Sequence, residues 1–515
     1  MGISLLPKHT LQHILNEHQR NMDRQLLLKA IQSLQGRKDV LHKELEVVDL
    51  DLRTLQAQHS RLLNADTAIY KLPNELLAEI FMLCADNRFW PILPKRNCSS
   101  FHLFQVVVSQ VSRRWREVAL GAPLLWNVIN LKVVRPINHR QGHILSQLEA
   151  HCERSATCFL DITVEFQLDA DMASFCKLLG RYSERWRRLS VLTSFQEMDD
   201  IQNMLVDAKA PILEHLSLSL GTGTVSSRQQ PSVISAILSS SPRLSFLRLA
   251  GKALGTTHPP TSSVTTLHLD GWVRRCMTEE LFKSILEGAP LLVNLSLNMI
   301  DLPHPRDPSV ITQSTTLMHL RSLRIRGPCT PVSRLMSLVD MPRLQSLTLD
   351  AVETFDSHVL QNVESLILDF CPFSKEDLGK LIRRLPSLSE LSIDESTPDI
   401  FYMLSPETTD VPTQTETEVA KRRLSPWPRL RTIIVRELQP MDVLYFCNMV
   451  FNRQSVGPKS GISPLKRILL DRRSRTVLRT KQKLEWLQES VVVENGIPAK
   501  WPPGLDYEDP HDLRE

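Results

Sequence analysis

The chain has 515 residues, of which 42% are hydrophobic and 23% are charged, and its formal net charge is +4. This composition is ordinary for a soluble globular protein, and the length accommodates several domains or one elongated repeat array. Because the net charge is small for this length, it gives no strong attraction to nucleic acid or to an anionic membrane. Neither is therefore expected as a partner.

The nine cysteines form no Cys-x-x-Cys pair. Their spacing argues against a zinc site or a disulfide framework and favours a reducing compartment. The N-terminal residues lack the cationic start of a secretory signal. No apolar run approaches the roughly 20 residues that a membrane span needs. We therefore expect an intracellular protein, either cytoplasmic or nuclear.

Residues 1–66 contain a heptad pattern of apolar side chains. Six leucines or valines recur seven residues apart, at Leu27, Leu34, Leu41, Val48, Leu55 and Leu62. The residues three positions before them are Arg24, Ile31, Lys38, Leu45, Leu52 and His59. This pattern is typical of a coiled-coil helix, which we predict over residues 22–64. Either the helix lies on the following domain or it pairs with a second copy in a homodimer.

The segment KLPNELLAEIF at residues 71–81 predicts a helix with two apolar stripes. Pro73 suits the first turn, and Glu75 lies near the positive end of the helix dipole. One stripe consists of Leu76, Ile80 and Leu83, and the adjacent stripe consists of Leu77, Phe81 and Cys84. A helix that only covers a core needs a single stripe, so the second stripe requires another surface to bury it.

A second apolar segment, FQVVVSQVSRRWREVALGAPLLWNVINL, follows at residues 104–131. Val108, Val111, Trp115 and Val118 recur at helical spacing and predict a helix, which Gly-Ala-Pro at 121–123 ends. Residues 69–131 thus predict a compact helical module. Its apolar surface exceeds what about 60 residues readily bury alone.

These two segments together resemble an F-box, in the F-box-like form common in mushroom-forming fungi. The first motif matches at Leu72, Pro73, Glu75, Leu76, Leu77, Ile80 and Phe81. The second matches at Val111, Trp115, Arg116 and Ala119, and the characteristic Leu-Trp that follows is Leu125-Trp126. Ser112 stands where the family usually has Cys, and residues 85–103 lengthen the link between the motifs.

The resemblance implies that an all-α module at residues 67–133 docks a Skp-type adaptor of a cullin ubiquitin ligase core. The residues that it implies for adaptor contact, or for holding that surface in place, are Leu72, Pro73, Leu76, Ile80, Val111 and Trp115. The alternative is that the module packs on the C-terminal domain of its own chain.

The pattern L-x-x-L-x-L recurs between residues 213 and 470. Its copies are LEHLSL (213–218), LSFLRL (244–249), VTTLHL (264–269), LVNLSL (292–297), LRSLRI (320–325), LQSLTL (344–349), VESLIL (363–368), LSELSI (388–393), and more loosely LRTIIV (430–435) and LKRILL (465–470). WRRLSV (186–191) is a candidate earlier copy. The first eight copies are 19 to 31 residues apart, which resembles the leucine-rich repeat.

The predicted fold class is therefore an α/β repeat. It consists of the heptad helix, the small all-α module and an irregular leucine-rich-repeat solenoid with a parallel sheet over residues 134–480. We expect a mobile insertion at about 401–427, which is rich in Thr and Glu. A polar, unpacked tail is expected over 481–515.

One face of the predicted sheet carries a charged candidate surface for a partner. Residues between and just after the final leucines of each copy are expected to face outward. They include the basic Arg324 and Arg326, and Asp350, Asp369 and Asp394, which hold the same slot in three consecutive copies. Either these carboxylates bind a basic segment of a partner or each one caps the turn that follows it.

The chain lacks the sequence motifs of common enzymes. Walker-type, Gly-x-Ser-x-Gly and His-Glu-x-x-His motifs do not occur, and the histidines show no metal-ligand spacing. We expect neither a cofactor, nor a metal, nor catalysis. The resemblance implies a non-catalytic substrate-recognition subunit of a Skp–cullin–F-box ubiquitin ligase, which binds an unknown protein substrate through its repeats. The alternative is a protein-binding scaffold without a ligase role, dimerising through the N-terminal helix.

Overall fold

The structure is a computed structural model that forms two compact units, Met1–Leu83 and Cys84–Glu515. The residues that it describes are 8–65, 67–85, 100–101, 104–133, 141–166, 172–193, 199–220, 233–251, 253–254, 261–271, 277–300, 302, 314–327, 332–394, 398–405, 426–455 and 461–495.

The first unit begins with one long helix, α1 (Lys8–Ala65). It starts well before the predicted residue 22, because neither glycine nor proline occurs between Lys8 and that point to interrupt it. A 3-10 turn, Ala68–Lys71, leads to α2 (Asn74–Ala85). The Pro73 carbonyl accepts the first helical hydrogen bond from the Leu77 amide at 3.1 Å, so proline directly precedes the helix.

The second unit alternates helices and strands. Its helices are α3 (Phe104–Val111), α4 (Arg113–Leu120), α5 (Gln141–Arg154), α6 (Met172–Gly180), α7 (Asp199–Asp207), α8 (Val233–Ser239), α9 (Glu279–Glu287), α10 (Val332–Leu338), α11 (Lys375–Arg384), α12 (Pro398–Leu404), α13 (Val443–Ser455), α14 (Arg472–Thr480) and α15 (Leu484–Ser490). Its strands are β1 (Ser100–Phe101), β2 (Val128–Val133), β3 (Leu160–Phe166), β4 (Trp186–Thr193), β5 (His215–Leu220), β6 (Phe246–Gly251), β7 (Thr266–Asp270), β8 (Asn294–Asn298), β9 (Thr315–Thr316), β10 (Ser322–Arg326), β11 (Val339–Asp340), β12 (Ser346–Asp350), β13 (Ser365–Asp369), β14 (Glu390–Asp394), β15 (Thr432–Arg436), β16 (Arg467–Leu470) and β17 (Val492–Asn495).

Among the described residues, fifteen strands form one sheet whose spatial order is their order along the chain. β1 pairs antiparallel with β2, and every later pairing in that sheet is parallel. β9 and β11 form a separate small pair. A sheet in which each strand pairs with the next in sequence is a solenoid, since each repeat contacts only its neighbours. The predicted α/β repeat with a parallel sheet is confirmed.

A regular backbone ladder stacks repeats of unequal length. The carbonyl of Glu214, just before β5, accepts the amides of Ser245 and Phe246 of the next repeat, each at 3.0 Å. The Thr265 carbonyl likewise accepts Val293 and Asn294 at 2.8 and 2.9 Å. Strands therefore stay in register while the connections between them vary in length. One continuous apolar core, from Ile129 to Val491, runs beneath them.

The structure corrects the prediction for residues 67–133, which contain β1 and β2 beside their helices and are therefore not all-α. The single helix expected through 108–118 is two helices, because Ser112 leaves the helical conformation and caps α4. Its hydroxyl accepts the Trp115 amide at 3.1 Å. Residues 128–133 form β2 instead of belonging to a helical module, because the alternating sequence VINLKV pairs in register with β3.

The predicted polar tail is also wrong over residues 481–495. These residues form α15 and β17. Leu484 and Leu487 of α15 are buried, and so is Val491 between the two elements. Residues 496–515 lie outside the described part. The insertion expected at about 401–427 is ordered at both ends, since α12 extends to Leu404 and Trp427 is buried. Residues 406–425 lie outside the described part.

Candidate functional site

The two apolar stripes of α2 differ in exposure. Leu77 and Phe81 are buried, whereas Leu76 is 47% exposed, Ile80 39% and Leu83 62%. The exposed residues are four and three positions apart, so they lie along one side of the helix. The stripe that contains two of the predicted adaptor-contact residues is therefore open to solvent.

The other predicted adaptor-contact residues vary in exposure. Pro73 is exposed and Leu72 is half-buried at the start of α2, while Val111 is 58% exposed at the end of α3 and Trp115 is half-buried in α4. Sequence reasoning missed Val107, which is also exposed. It precedes Val111 by four residues, and that helical spacing is the signal that could have identified it.

The Leu-Trp pair matched by the F-box resemblance is a structural anchor. Trp126 is fully buried, and its indole nitrogen donates to the Ala119 carbonyl of α4 at 2.7 Å. Its ring meets His151 of α5 edge-on at 4.9 Å between centroids, and the Arg154 guanidinium lies 4.5 Å from its centre. This tryptophan therefore fixes α4 against the first repeat and is not available to a partner.

The predicted column of carboxylates exists. Asp350, Asp369 and Asp394 are register partners on β12, β13 and β14. Arginine flanks the column at both ends, because Arg326 pairs with Asp350 and Arg436 pairs with Asp394 in register. Arg326 Nε lies 2.8 Å from Asp350 Oδ2. The column is therefore part of a row of alternating blocks of charge that crosses five strands.

The turn after these strands is closed by backbone. The Gly327 amide donates to the Asp350 carbonyl and the Ala351 amide to the Asp369 carbonyl, each at 2.8 Å. Ala351 adopts a left-handed φ of 53° and Gly327 a φ of 89°. Neighbouring main chain therefore accepts these two amides, and the carboxylate of Asp350 lies beside Arg326 Nε.

The charged row is less accessible than the sequence suggested. Asp350 and Asp369 are buried, while Arg324, Arg326 and Asp394 are half-buried. Parallel strands lie about 4.8 Å apart, so side chains on both neighbouring strands flank each residue of the row. The expectation of an open acidic patch is therefore corrected to a largely buried charge network.

Polar side chains on β5 to β8 are buried even more deeply, although the sequence placed them outward. Arg248 Nε lies 2.6 Å from Asp270 Oδ2, and these side chains are 5% and 3% exposed. The rings of His215 and Phe246 stack at 4.0 Å between centroids, and Phe246 meets His268 at 4.9 Å. This part of the sheet face is packed and does not offer a binding surface.

A cleft of about 910 Å³ lies where the charged row ends near the C-terminal strands. Its charged lining residues are Arg436, Arg472, Arg475, Arg479, Asp394, Glu437 and Asp471. Burial lowers the pKa of the Arg436 guanidinium, and the charges of Asp394, Asp369 and Asp471 oppose that shift. Arg472 and Arg479 are exposed, so the accessible side of this cleft is basic.

Cys371 fills the position at which a leucine-rich repeat carries Asn or Cys. Its thiol donates to the carbonyls of Leu349 and Asp369 at 3.3 Å. Burial raises the pKa of the thiol to about 12, so it stays protonated and can donate. The side chain thus links two neighbouring repeats.

Comparison with known proteins gives structural neighbours. No protein-family model matches the chain, and no curated protein matches it. The leucine-rich repeat-containing protein LegL7 from Legionella pneumophila is similar in structure, with 15% identity and a TM-score of 0.33, over 63% of this chain and 97% of that chain. The LRR protein LIC12759 from Leptospira interrogans shares 15% identity with a TM-score of 0.24, over 62% and 92%.

The fold of the second unit follows from its own geometry. Its strands pair in chain order, its backbone ladder repeats, and the leucines of L-x-x-L-x-L form its core. It is a leucine-rich solenoid. No helix in the described part of the chain is long and apolar enough to span a membrane.

Proposed function

We propose that the chain is a non-catalytic adaptor, the substrate-recognition subunit of a Skp–cullin–F-box type ubiquitin ligase. The observation that carries this proposal is the exposure of Leu76 and Ile80 on α2, beside the buried Leu77 and Phe81. An amphipathic helix that serves only its own core turns polar residues to water. Here two of the side chains that the F-box resemblance assigns to a Skp-type adaptor, Leu76 and Ile80, are apolar and accessible.

The physical work of such an adaptor is proximity. One surface holds the ligase core and another holds a protein substrate, so the substrate lysines experience a high effective concentration of the conjugating enzyme. No reactive group of this chain needs to take part. Burial of an exposed leucine or isoleucine against the adaptor contributes about 1.5–3 kcal/mol for each side chain fully removed from water.

We propose that the protein substrate binds to the solenoid. The basic side of the C-terminal cleft, with Arg472 and Arg479 exposed, suits an acidic segment of a substrate. The half-buried Arg326 and Asp394 limit what can bind along the charged row, since each has charged neighbours in the sheet.

Co-expression with a tagged Skp-type adaptor tests the ligase role. The full chain is expected to co-purify with the adaptor. Leu76→Asp combined with Ile80→Asp is expected to weaken binding at least tenfold, about 1.4 kcal/mol, because both changes introduce charges into the contact. Leu444→Asp is the matched control, since Leu444 is 60% exposed on α13 of the solenoid. It should bind the adaptor as the unaltered chain does.

Failure of the unaltered chain to bind the adaptor would contradict the ligase role. Equal weakening by Leu444→Asp would contradict the assignment of the contact to α2. The alternative function, a protein-binding scaffold without a ligase role, is favoured by a separate observation: the heptad leucines of α1 are exposed. It predicts substrate binding by the solenoid without any adaptor.

A further inference from the structure

Within the first unit, the apolar seam of α1 is exposed at each residue of the heptad pattern. The six residues of the heptad pattern, Leu27 through Leu62, are between 57% and 74% exposed. Ile31, Leu45 and Leu52 are at least half exposed as well. A helix of 58 residues, about 87 Å long, that presents such a seam is expected to bury it against another helix.

We propose that α1 pairs with α1 of a second copy of this chain. The pairing is an antiparallel two-stranded coiled coil, aligned so that Leu41 faces Leu45 of the partner subunit. This pairing uses α1 alone, goes beyond the proposed function, and holds whether or not α2 binds an adaptor.

The polar residues of the seam select the antiparallel direction. In this heptad the first positions are Arg24, Ile31, Lys38, Leu45, Leu52 and His59, and the fourth positions are the six residues from Leu27 to Leu62. In a parallel dimer each first position faces the same residue of the partner subunit. Arg24 and Lys38 would then meet Arg24 and Lys38 of the partner subunit, which places like charges together in an apolar seam, and the polar His59 would meet the partner's His59. In the antiparallel alignment each first position faces a fourth position of the other helix.

The proposed alignment gives every polar seam residue an aliphatic neighbour. Arg24 faces Leu62 of the partner subunit, Lys38 faces the partner's Val48, and His59 faces the partner's Leu27. The methylene stems of Arg24 and Lys38 can pack on these side chains while their charged ends reach water. In this alignment each of the six first positions faces one of the six fourth positions of the partner subunit, and the reverse holds by symmetry.

The charged residues beside the seam also favour the antiparallel dimer. In a parallel dimer Glu44 lies beside Asp49 of the partner subunit, twice by symmetry, and these like charges repel. In the antiparallel alignment Arg37 lies beside the partner's Asp51, also twice, while Glu44 approaches only its own copy. Two attractive pairs and one repulsive pair therefore replace two repulsive pairs.

Light scattering on the full chain tests whether the dimer exists. The unaltered chain is expected to elute with twice the mass of one chain. Leu41→Asp with Leu45→Asp is expected to raise the dimer dissociation constant at least about 100-fold, because it removes four leucines from the central layers of the dimer. Leu50→Asp is the matched control, since Leu50 is 64% exposed but lies outside the seam, and it should remain a dimer with equal helix content by circular dichroism.

Cysteine cross-linking tests direction and alignment. In a Cys84→Ser background, which removes an exposed free cysteine, Leu34→Cys and Leu52→Cys chains are mixed and oxidised. A cross-link between residues 34 and 52 of different chains is the expected result. Cross-linking of Leu34→Cys chains to each other would overturn the direction. In a second mixture, of Leu34→Cys with Leu45→Cys chains, a stronger cross-link than that between residues 34 and 52 would overturn the alignment. A monomeric unaltered chain at high micromolar concentration would overturn the proposal as a whole.

Discussion

Replacing Asp270 by Asn is expected to lower the free energy of unfolding by about 3–5 kcal/mol, the cost of breaking a buried ion pair. The carboxylate of Asp270 lies 2.6 Å from Arg248 Nε, and both side chains are at most 5% exposed. Asparagine keeps the shape but removes the negative charge. The guanidinium of Arg248 is then left buried beside a neutral amide.

A double variant separates the pair from the packing around it. Arg248→Met with Asp270→Leu removes both charges and is expected to regain most of the stability that Asp270→Asn loses. Urea unfolding followed by circular dichroism measures the free energy of unfolding of Asp270→Asn, of the double variant, and of Arg248→Met and Asp270→Leu alone. A coupling free energy of about 2 kcal/mol or more is expected between the two positions.

The matched control for this pair is exposed. Arg113 Nε lies 2.9 Å from Glu117 Oε1, at a similar distance, but the side chains are 79% and 63% exposed. Glu117→Gln is expected to change stability by no more than about 0.5 kcal/mol. If Asp270→Asn changed stability as little as Glu117→Gln does, the account of a desolvated pair inside the sheet face would be contradicted.

Replacing Arg453 by Met is expected to lower the free energy of unfolding by about 3 kcal/mol. Arg453 is fully buried in α13 and donates to the carbonyls of Leu404, Pro426 and Trp427 at 2.9–3.2 Å. Methionine keeps the apolar stem and leaves these carbonyls without the guanidinium, each at about 1–3 kcal/mol. Relief from burying a charge offsets part of the loss, since burial lowers the pKa of Arg453 to about 10.

The position of Arg453 explains the size of the expected effect. Leu404 ends α12, and Pro426 and Trp427 begin the approach to β15, so one guanidinium holds both chain segments. Arg473→Met is the control, because Arg473 is 69% exposed and pairs with Glu437 at 3.0 Å at the surface. Thermal unfolding of the two variants should differ clearly, and equal midpoints would show that the buried contacts contribute little.

The repeats could be predicted because their leucines face the core. Every predicted copy between residues 213 and 470 became a strand, and so did WRRLSV within β4. β2 and β3 were missed because VINLKV and LDITVEF bury β-branched residues and lack the spaced leucines. β17 was missed because its valines, Val492 and the half-buried Val493, form a short run within a polar stretch and lack the spaced leucines.

The burial of the charged face could not be predicted. The slot shared by Asp350, Asp369 and Asp394 was visible in the sequence, and their register followed from it. Their burial depends on which side chains flank them on neighbouring strands. Because the connections between strands differ in length, those neighbours could not be identified from the sequence. Arg326 and Asp350 are 24 positions apart in the chain yet lie 2.8 Å apart as a pair.

The α2 helix shows both what the sequence could predict and what it could not. Spacing alone predicted two apolar faces, and it could not tell which face the chain would bury. The structure buries Leu77 and Phe81 and leaves Leu76 and Ile80 accessible.

Hydrogen exchange on the full chain with a purified Skp-type adaptor shows whether α2 carries the adaptor contact. We expect slowed exchange in peptides from Asn74–Ala85 when the adaptor is added, because contact at Leu76 and Ile80 should restrain the helix that carries them. Peptides from Val443–Ser455 of the solenoid should exchange unchanged. Unaltered exchange throughout Asn74–Ala85 at saturating adaptor, or protection confined to the solenoid, would contradict an adaptor contact on α2.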